Sequence, residues 1–250
     1  MLWATFMQTQ RSSIPLERMS SEEMLACIDP FLASRPEEVD ALARSVVRLR
    51  KGSGTVLLRE GQPADGLYVV LRGRVNLTRA AEGGRDIILA SLGPGDVFGE
   101  TAALEGVGAS TTAITAVATD VARIPADVLS GHIRRDPNTM VRLMRLMTQK
   151  LKDVESVASG LALFDVEERL RQTLIRLAKR QGRHSPNDQG WILAPVPTQS
   201  ELARMVGSCR ETVSRTLSSM ARSGLLSSSG RRMVLGESLV GAEMDATAVN

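Results

Sequence analysis

The sequence predicts an α+β protein in three parts: an N-terminal β-roll, a long helix and a C-terminal winged helix-turn-helix. Three observations carry this prediction. Short apolar runs separated by glycines fill residues 46–124. Apolar residues then recur at steps of four and three through residues 137–164. Beyond them a short helix, a glycine turn and a second amphipathic helix lie between Thr198 and Leu217.

Residues 1–20 are polar and rich in Met, Ser and Thr, without periodicity, and read as a flexible extension. The β-roll is assigned to residues 21–136 and opens with two helices. Ser20-x-x-Glu23 caps the first, which contains Met24, Leu25 and Ile28, and the second is short and amphipathic over about 36–47. The strand runs are Thr55–Leu58, Leu67–Leu71, Arg74–Thr78, Asp86–Leu92 and Thr112–Thr119. Many short strands with glycine turns between them indicate a roll or barrel. Glu82-Gly83-Gly84-Arg85 reads as a hairpin tip.

Residues 137–164 form one helix with an a/d seam of Met140, Met144, Met147, Leu151, Val154, Ala158 and Leu161. Leu143, Leu146 and Val157 make a second apolar flank suited to docking on the roll. A seam of this length implies a homodimer; the alternative is the core helix of a monomer. A two-fold dimer would present two copies of the C-terminal part to two half-sites.

Residues 165–235 read as the winged helix. Asp165-x-x-Glu168 starts a helix with Val166, Leu170, Leu174, Ile175 and Leu177 inward. Residues 181–190 are loop by composition, and Trp191–Val196 is a short strand. The helix-turn-helix follows, then strands Leu225–Ser228 and Arg231–Leu235 around Gly230, and a disordered tail over 236–250. In the second helix, Val213, Leu217 and Met220 recur at i, i+4 and i+7 and define a buried stripe. Glu211, Ser214 and Arg215 lie opposite, with Arg210 at the flank. Arginine pairs bidentately with guanine O6 and N7, and a carboxylate accepts from cytosine N4. Yet Ser208-x-x-Glu211, like Thr198-x-x-Glu201, is also a capping box. Spacing alone leaves base reading and a plain helical hairpin both open.

Composition narrows the classes. A chain of 250 residues with 43% hydrophobic residues can bury one large core or two modest ones. Aromatics at 3% exclude a stacking platform for single-stranded nucleic acid. The net charge of +3 is uneven: residues 165–235 hold 12 Lys and Arg against 6 Asp and Glu, whereas residues 1–164 hold 19 of each. A basic C-terminal part fits phosphate contact at that end. Cys27 and Cys209 are the only cysteines, too few for a metal cluster or a disulfide framework. No apolar run approaches the roughly 18 residues of a membrane span, and no signal-peptide order is present. The expected compartment is a reducing cytoplasm. No metal triad, nucleophile elbow or phosphate loop before a lysine points to an enzyme.

Several segments in order carry a family resemblance. Glu60-Gly61-Gln62-Pro63-Ala64-Asp65-Gly66-Leu67-Tyr68-Val69-Val70-Leu71-Arg72-Gly73-Arg74-Val75 resembles the signature of a cyclic-nucleotide-binding β-roll. Gly93-Pro94-Gly95-Asp96-Val97-Phe98-Gly99-Glu100 is similar to the start of its phosphate-binding cassette. Phe164-Asp165-Val166-Glu167-Glu168-Arg169-Leu170 resembles the hinge, and Val206 to Arg215 the helix-turn-helix, of the CRP/FNR family of bacterial transcription regulators. The resemblance spans residues 25–235. It implies double-stranded DNA as partner, with Arg210, Glu211 and Arg215 reading bases of a TGTGA-like half-site. It also implies that Thr198, Gln199, Ser200, Cys209 and Thr212 lie near phosphates. Cys209 is read as packing, with a redox handle as the alternative. Loop 181–190 would meet RNA polymerase in an activator, and a bound dimer could equally repress.

The sensor half departs from the family pattern. Family binders of cyclic nucleotides hold the phosphate with an arginine and a neighbouring hydroxyl; here Ser110-Thr111 stands at that pair, without the arginine. Gly99 and Glu100, the latter holding the ribose hydroxyl in binders, are present. The adenine-facing Thr-Ser pair of cyclic-AMP binders is replaced by Val154 and Glu155. Desolvating a phosphate without a paired charge is costly, so no cofactor, cyclic AMP included, is expected. A different cyclic nucleotide or a cyclic dinucleotide, using Arg85, Arg123 or Arg134, is the alternative, and a scaffolding module is a third. Haem would need axial ligands, and His132 and His184 read as solvated or capping histidines.

Overall fold

The structure, a computed structural model, describes residues 45–80, 86–185 and 190–240. The predicted extension, the first helix, the hairpin tip with Arg85, and most of the predicted tail lie outside the described residues. The chain divides into two units whose main boundary falls between Val154 and Glu155.

The first unit is a roll of two four-stranded sheets. One has the order β1-β8-β3-β6, from strands β1 (Val47–Lys51), β3 (Gly66–Arg72), β6 (Val97–Phe98) and β8 (Thr119–Pro125). The other has the order β2-β7-β4-β5, from β2 (Val56–Leu58), β4 (Val75–Ala80), β5 (Asp86–Leu92) and β7 (Thr112–Thr115). Strand β3 is buried on both faces. Leu67, Val69 and Leu71 enter one cluster with Ile124 and Leu129, while Tyr68 and Val70 enter another with Val75, Leu92 and Phe98. This two-sided burial explains why β3 reads as a continuous apolar run rather than an alternating one.

Helix α1 (Glu100–Glu105) follows β6, and α2 (Ala126–Arg135) and α3 (Asn138–Leu163) follow β8. Asp136 starts α3 by accepting from the Asn138 amide at 3.1 Å and the Thr139 hydroxyl at 3.3 Å. Leu143 is buried in the cluster of Leu67 and Leu129, and Leu146 and Met147 pack against it. Among the predicted seam residues, Met144 is 62% exposed, Leu151 58% and Val154 55%. Met147 departs from the seam reading, because its i+4 relation to Leu143 turns it toward the roll. Val157 of the predicted docking flank is not part of that cluster.

The second unit is built on α4 (Val166–Gln181), α5 (Gln199–Val206), α6 (Arg210–Arg222) and a sheet ordered β11-β12-β10-β9. Its strands are β9 (Arg183–Ser185), β10 (Gly190–Leu193), β11 (Leu226–Ser229) and β12 (Arg232–Gly236). Asp165 caps α4 by accepting from the Glu168 amide at 2.9 Å. The Glu168 carboxylate turns to Arg171 at 2.6 Å and Gln172 at 3.0 Å. Leu170, Leu174 and Ile175 meet Leu202, Val213 and Leu217 in a single core.

Several expectations need correction. The predicted helix ending near residue 47 overlaps strand β1, which alternating Arg48 and Arg50 disguised. Both arginines bond Asp120, which is fully buried, at 3.0 and 3.2 Å. The run Thr112–Thr119 is not one strand: β7 stops at Thr115, and β8 starts at Thr119, whose hydroxyl donates to the Val117 carbonyl at 2.8 Å. Arg183–Ser185, read as loop, pairs with β10. Residues 237–240 of the predicted tail form a helical turn, and Leu239 and Val240 are buried in the second core. His132, read as solvated or capping, is buried in α2 and so is not solvated, whereas His184 stays exposed and stands 3.3 Å from Glu237.

Candidate nucleic-acid interface and sensor pocket

The helix-turn-helix is set by local chemistry. The Thr198 hydroxyl accepts from the Glu201 amide at 3.2 Å, and the Glu201 carboxylate accepts from the Thr198 amide at 2.8 Å. This reciprocal cap starts α5, whose Leu202, Ala203, Met205 and Val206 are buried. Gly207 ends it at φ 61°, ψ 47°, the left-handed region where only glycine sits without strain. The Ser208 amide closes the turn on the Ala203 carbonyl at 3.0 Å.

Helix α6 begins at Arg210 with Cys209 as its N-cap and without a side-chain cap bond. The expected Ser208–Glu211 box therefore does not form, because the helix starts one residue later than that box requires. Val213, Leu217 and Met220 are buried. Arg210, Glu211 and Arg215 are exposed, and Ser214 is half-buried. Thr198, Gln199, Ser200 and Cys209 are exposed and Thr212 is half-buried.

The exposed face is internally organised. The Thr212 hydroxyl lies 3.1 Å from Cys209 Sγ and accepts from Arg215 Nη2 at 3.3 Å. Cys209 is exposed, which removes the packing reading. Bonds to Thr212 hold its thiol below the ordinary range, with Glu211 opposing. The Glu211 carboxyl is also held low, first by its own backbone amide and then by Cys209, with Arg210 and Arg215 adding to the effect. It is an anion at neutral pH and can accept from a base amino group.

In the roll, Gly99 adopts φ 81° at the start of α1. A Cβ there would lie 3.1 Å from the Gly66 carbonyl oxygen and the Tyr68 ring, so only glycine allows this approach. Glu100 follows in the first turn and accepts from Lys150 Nζ of α3 at 2.7 Å. The two side chains are 19% and 22% exposed. Ser110 is exposed and Thr111 half-buried. Val154 and Glu155 are both exposed on α3.

Of the cations expected to replace the missing arginine, Arg123 is committed to Asp65. Asp65 also accepts from the Tyr68 hydroxyl at 3.0 Å; burial, then this bond, push that phenol up to about 12. Arg134 is exposed on α2. The cation beside Glu100 is Lys150, which sequence reasoning missed. The signal was available: Lys150 is seven residues after Leu143 and so shares its roll-facing stripe. Among the described residues, no group of His, Cys, Asp and Glu could hold a metal ion. No described helix is long and apolar enough to cross a membrane.

Comparison with known proteins places both halves. The cyclic nucleotide-binding domain family model matches residues 46–136, and the Crp-like helix-turn-helix domain model matches residues 168–236. The chain is 28% identical over 219 residues to a CRP-like cAMP-activated global transcriptional regulator of Mycobacterium tuberculosis, covering 87% of this chain and 96% of that protein. It is 31% identical over 184 residues to the cAMP-activated global transcriptional regulator CRP of Salmonella typhimurium, covering 73% and 86%. The solved structure of CLP, the c-di-GMP responsive global regulator of Xanthomonas campestris, superposes with a TM-score of 0.65 at 28% identity, covering 84% of this chain and 98% of that one. With a nucleotide-binding-type roll, a Crp-like reader and full-length relatives in agreement, the chain belongs to the CRP/FNR family of DNA-binding transcription regulators.

Proposed function

We propose that this regulator binds DNA as a homodimer, reads a palindromic TGTGA-like site, and does so without cyclic AMP. The observation that carries the reading is the recognition face: Arg210, Glu211 and Arg215 are exposed on a helix fixed by buried Val213, Leu217 and Met220. The exposed run of Met140, Met144, Leu151, Val154, Ala158 and Leu161 on α3 supports pairing with a second copy. Two-fold pairing then puts half-site centres about 34 Å apart, one helical turn.

Independence from cyclic AMP rests on Ser110 in place of the clamp arginine and on Glu100 being occupied by Lys150. The M. tuberculosis and S. typhimurium relatives are named as cAMP-activated; this chain departs from such binders at Ser110, Val154 and Glu155. A second reading, gating by another anionic nucleotide, is favoured by Lys150 as a half-buried cation and by the c-di-GMP response named for CLP. Contact with RNA polymerase and a cytoplasmic site of action accompany the proposal.

An operator footprint with and without nucleotides tests it. Equal protection of a palindrome in both supports ligand-free reading. A large stimulation by cyclic AMP refutes it, and stimulation by a cyclic dinucleotide alone selects the second reading.

A further inference from the structure

We infer that Arg169 is a positioning residue for DNA reading, whose guanidinium fixes the turn before α6 to the end of α3. The inference rests on the DNA-reading function proposed above. Arg169 lies in the first turn of α4 and is half-buried. Its Nε donates to the carbonyl of Val206, the last residue of α5, at 2.9 Å. Its Nη1 donates to the carbonyl of Phe164, immediately beyond α3, at 2.7 Å.

Both acceptors are carbonyls at helix C-termini, where the last turn leaves oxygens without intrahelical donors and the helix dipole is negative. A guanidinium offers a rigid planar fork of donors, so one side chain can serve two helix ends and fix their relation. The neighbouring carboxylate does not compete for it, because Glu168 is held by Arg171 and Gln172.

Packing reinforces the tie. Leu161 of α3 lies over the glycine turn, with its Cδ2 3.1 Å from where a Cβ on Gly207 would stand. A Cβ on Gly160 would stand 3.9 Å from Arg169 Cγ, so the arginine stem runs close along this stretch of α3. Gly207 precedes Arg210 by three residues, leaving a short path from the end of α3 to the base-reading side chains. In a dimer paired along α3, this tie sets the separation and tilt of the two recognition helices. Arg169 therefore governs which half-site spacing is accepted, not the chemistry read within one half-site.

The test uses the full-length protein, wild type, Arg169→Met and Arg169→Lys. The DNA probes are a duplex with two TGTGA-like half-sites at the preferred spacing, duplexes with one base pair added or removed between them, a single half-site, and a scrambled duplex. Wild type is expected to prefer its own spacing by on the order of tenfold. Arg169→Met should narrow that preference to about twofold while single half-site binding stays within about twofold of wild type. Arg169→Lys, placing fewer donors without the planar fork, should fall between them. If Arg169→Met keeps the wild-type spacing preference, the inference is overturned. It is equally overturned if Arg169→Met loses affinity evenly on every duplex with a lowered Tm, which is a structural role only. A wild-type protein that does not distinguish palindrome from scrambled duplex overturns the proposed function, and the inference with it.

Discussion

Replacing Lys150 by Met is the most direct probe of how the sensor half is held. The Lys150–Glu100 bond is 2.7 Å long, and its side chains are 22% and 19% exposed. That is intermediate between an exposed pair, worth about 0–1 kcal/mol, and a buried pair, whose breakage costs about 3–5 kcal/mol. Lys150→Met keeps the stem against the roll but leaves Glu100 shielded without a partner. A loss of about 1–2 kcal/mol is expected, and a fall in Tm of roughly 2–8 °C at about 2–4 °C per kcal/mol for a domain of this size. Glu100→Gln should cost a similar amount, because the ammonium then lacks its counter-ion. The double variant should cost clearly less than the two losses added, and urea denaturation of all four proteins at equal m values gives the coupling. Additivity within about 0.3–0.5 kcal/mol would mean that the two side chains do not interact. In a parallel thermal-shift titration, cyclic AMP should not stabilise the wild type; a ligand at 100 times its Kd would add about 2.7 kcal/mol.

Other consequences lie in the reader. Arg210→Ala should weaken operator binding by about 1–3 kcal/mol per half-site and relax preference at one base pair, read by competition among single-base variants. Val213→Ala, in a fully buried position, should cost about 1–3 kcal/mol of stability, seen as a lower denaturation midpoint. The Cys209 thiol is held below the ordinary range by Thr212. Its thiolate fraction, and so its alkylation by iodoacetamide, should rise at lower pH than that of a free thiol. Thr212→Val should return the profile to the ordinary range, and operator DNA should protect the thiol if α6 enters the groove as proposed.

Much of this architecture was legible because its determinants are local. The stripe of Val213, Leu217 and Met220 and the Thr198–Glu201 cap need only a dozen neighbouring residues to read. The glycine turns and the two-sided apolar run of β3 marked the roll in the same way. What stayed hidden depends on partners distant in sequence. Strand β1 reads as charged because Arg48 and Arg50 meet Asp120, about seventy positions on. Strand β9 is three polar residues, and only pairing with β10 makes it a strand. Leu239 and Val240 read as tail because their core is assembled from segments distant in sequence, α4, α5 and α6 among them. The candidate site divides similarly: the exposed reading face and the roll-facing stripe of Lys150 follow from helical period, whereas Cys209 as N-cap and the choice of Glu100, fifty residues away, as partner of Lys150 depend on the folded chain.

The local character of the reader bears on the proposal that it reads DNA without a messenger. A ligand shifts a two-state protein only by its differential affinity for the two states. Four features that shape the recognition face, the Thr198 cap, the Gly207 turn, Leu161 over that turn and the Arg169 tie, all lie between residues 160 and 220. In the roll, the carboxylate that binders offer to a ribose hydroxyl already holds a cation of the same chain. A covalently attached counter-ion acts at a fixed effective concentration. Its bias on the relation of α1 to α3 therefore cannot vary with any metabolite unless a ligand displaces it. Displacement requires an anion able to compete for Lys150 or a cation able to compete for Glu100. A neutral nucleoside has neither, and should leave DNA affinity unchanged at any concentration, whereas a polyanionic nucleotide that engages Lys150 should change it.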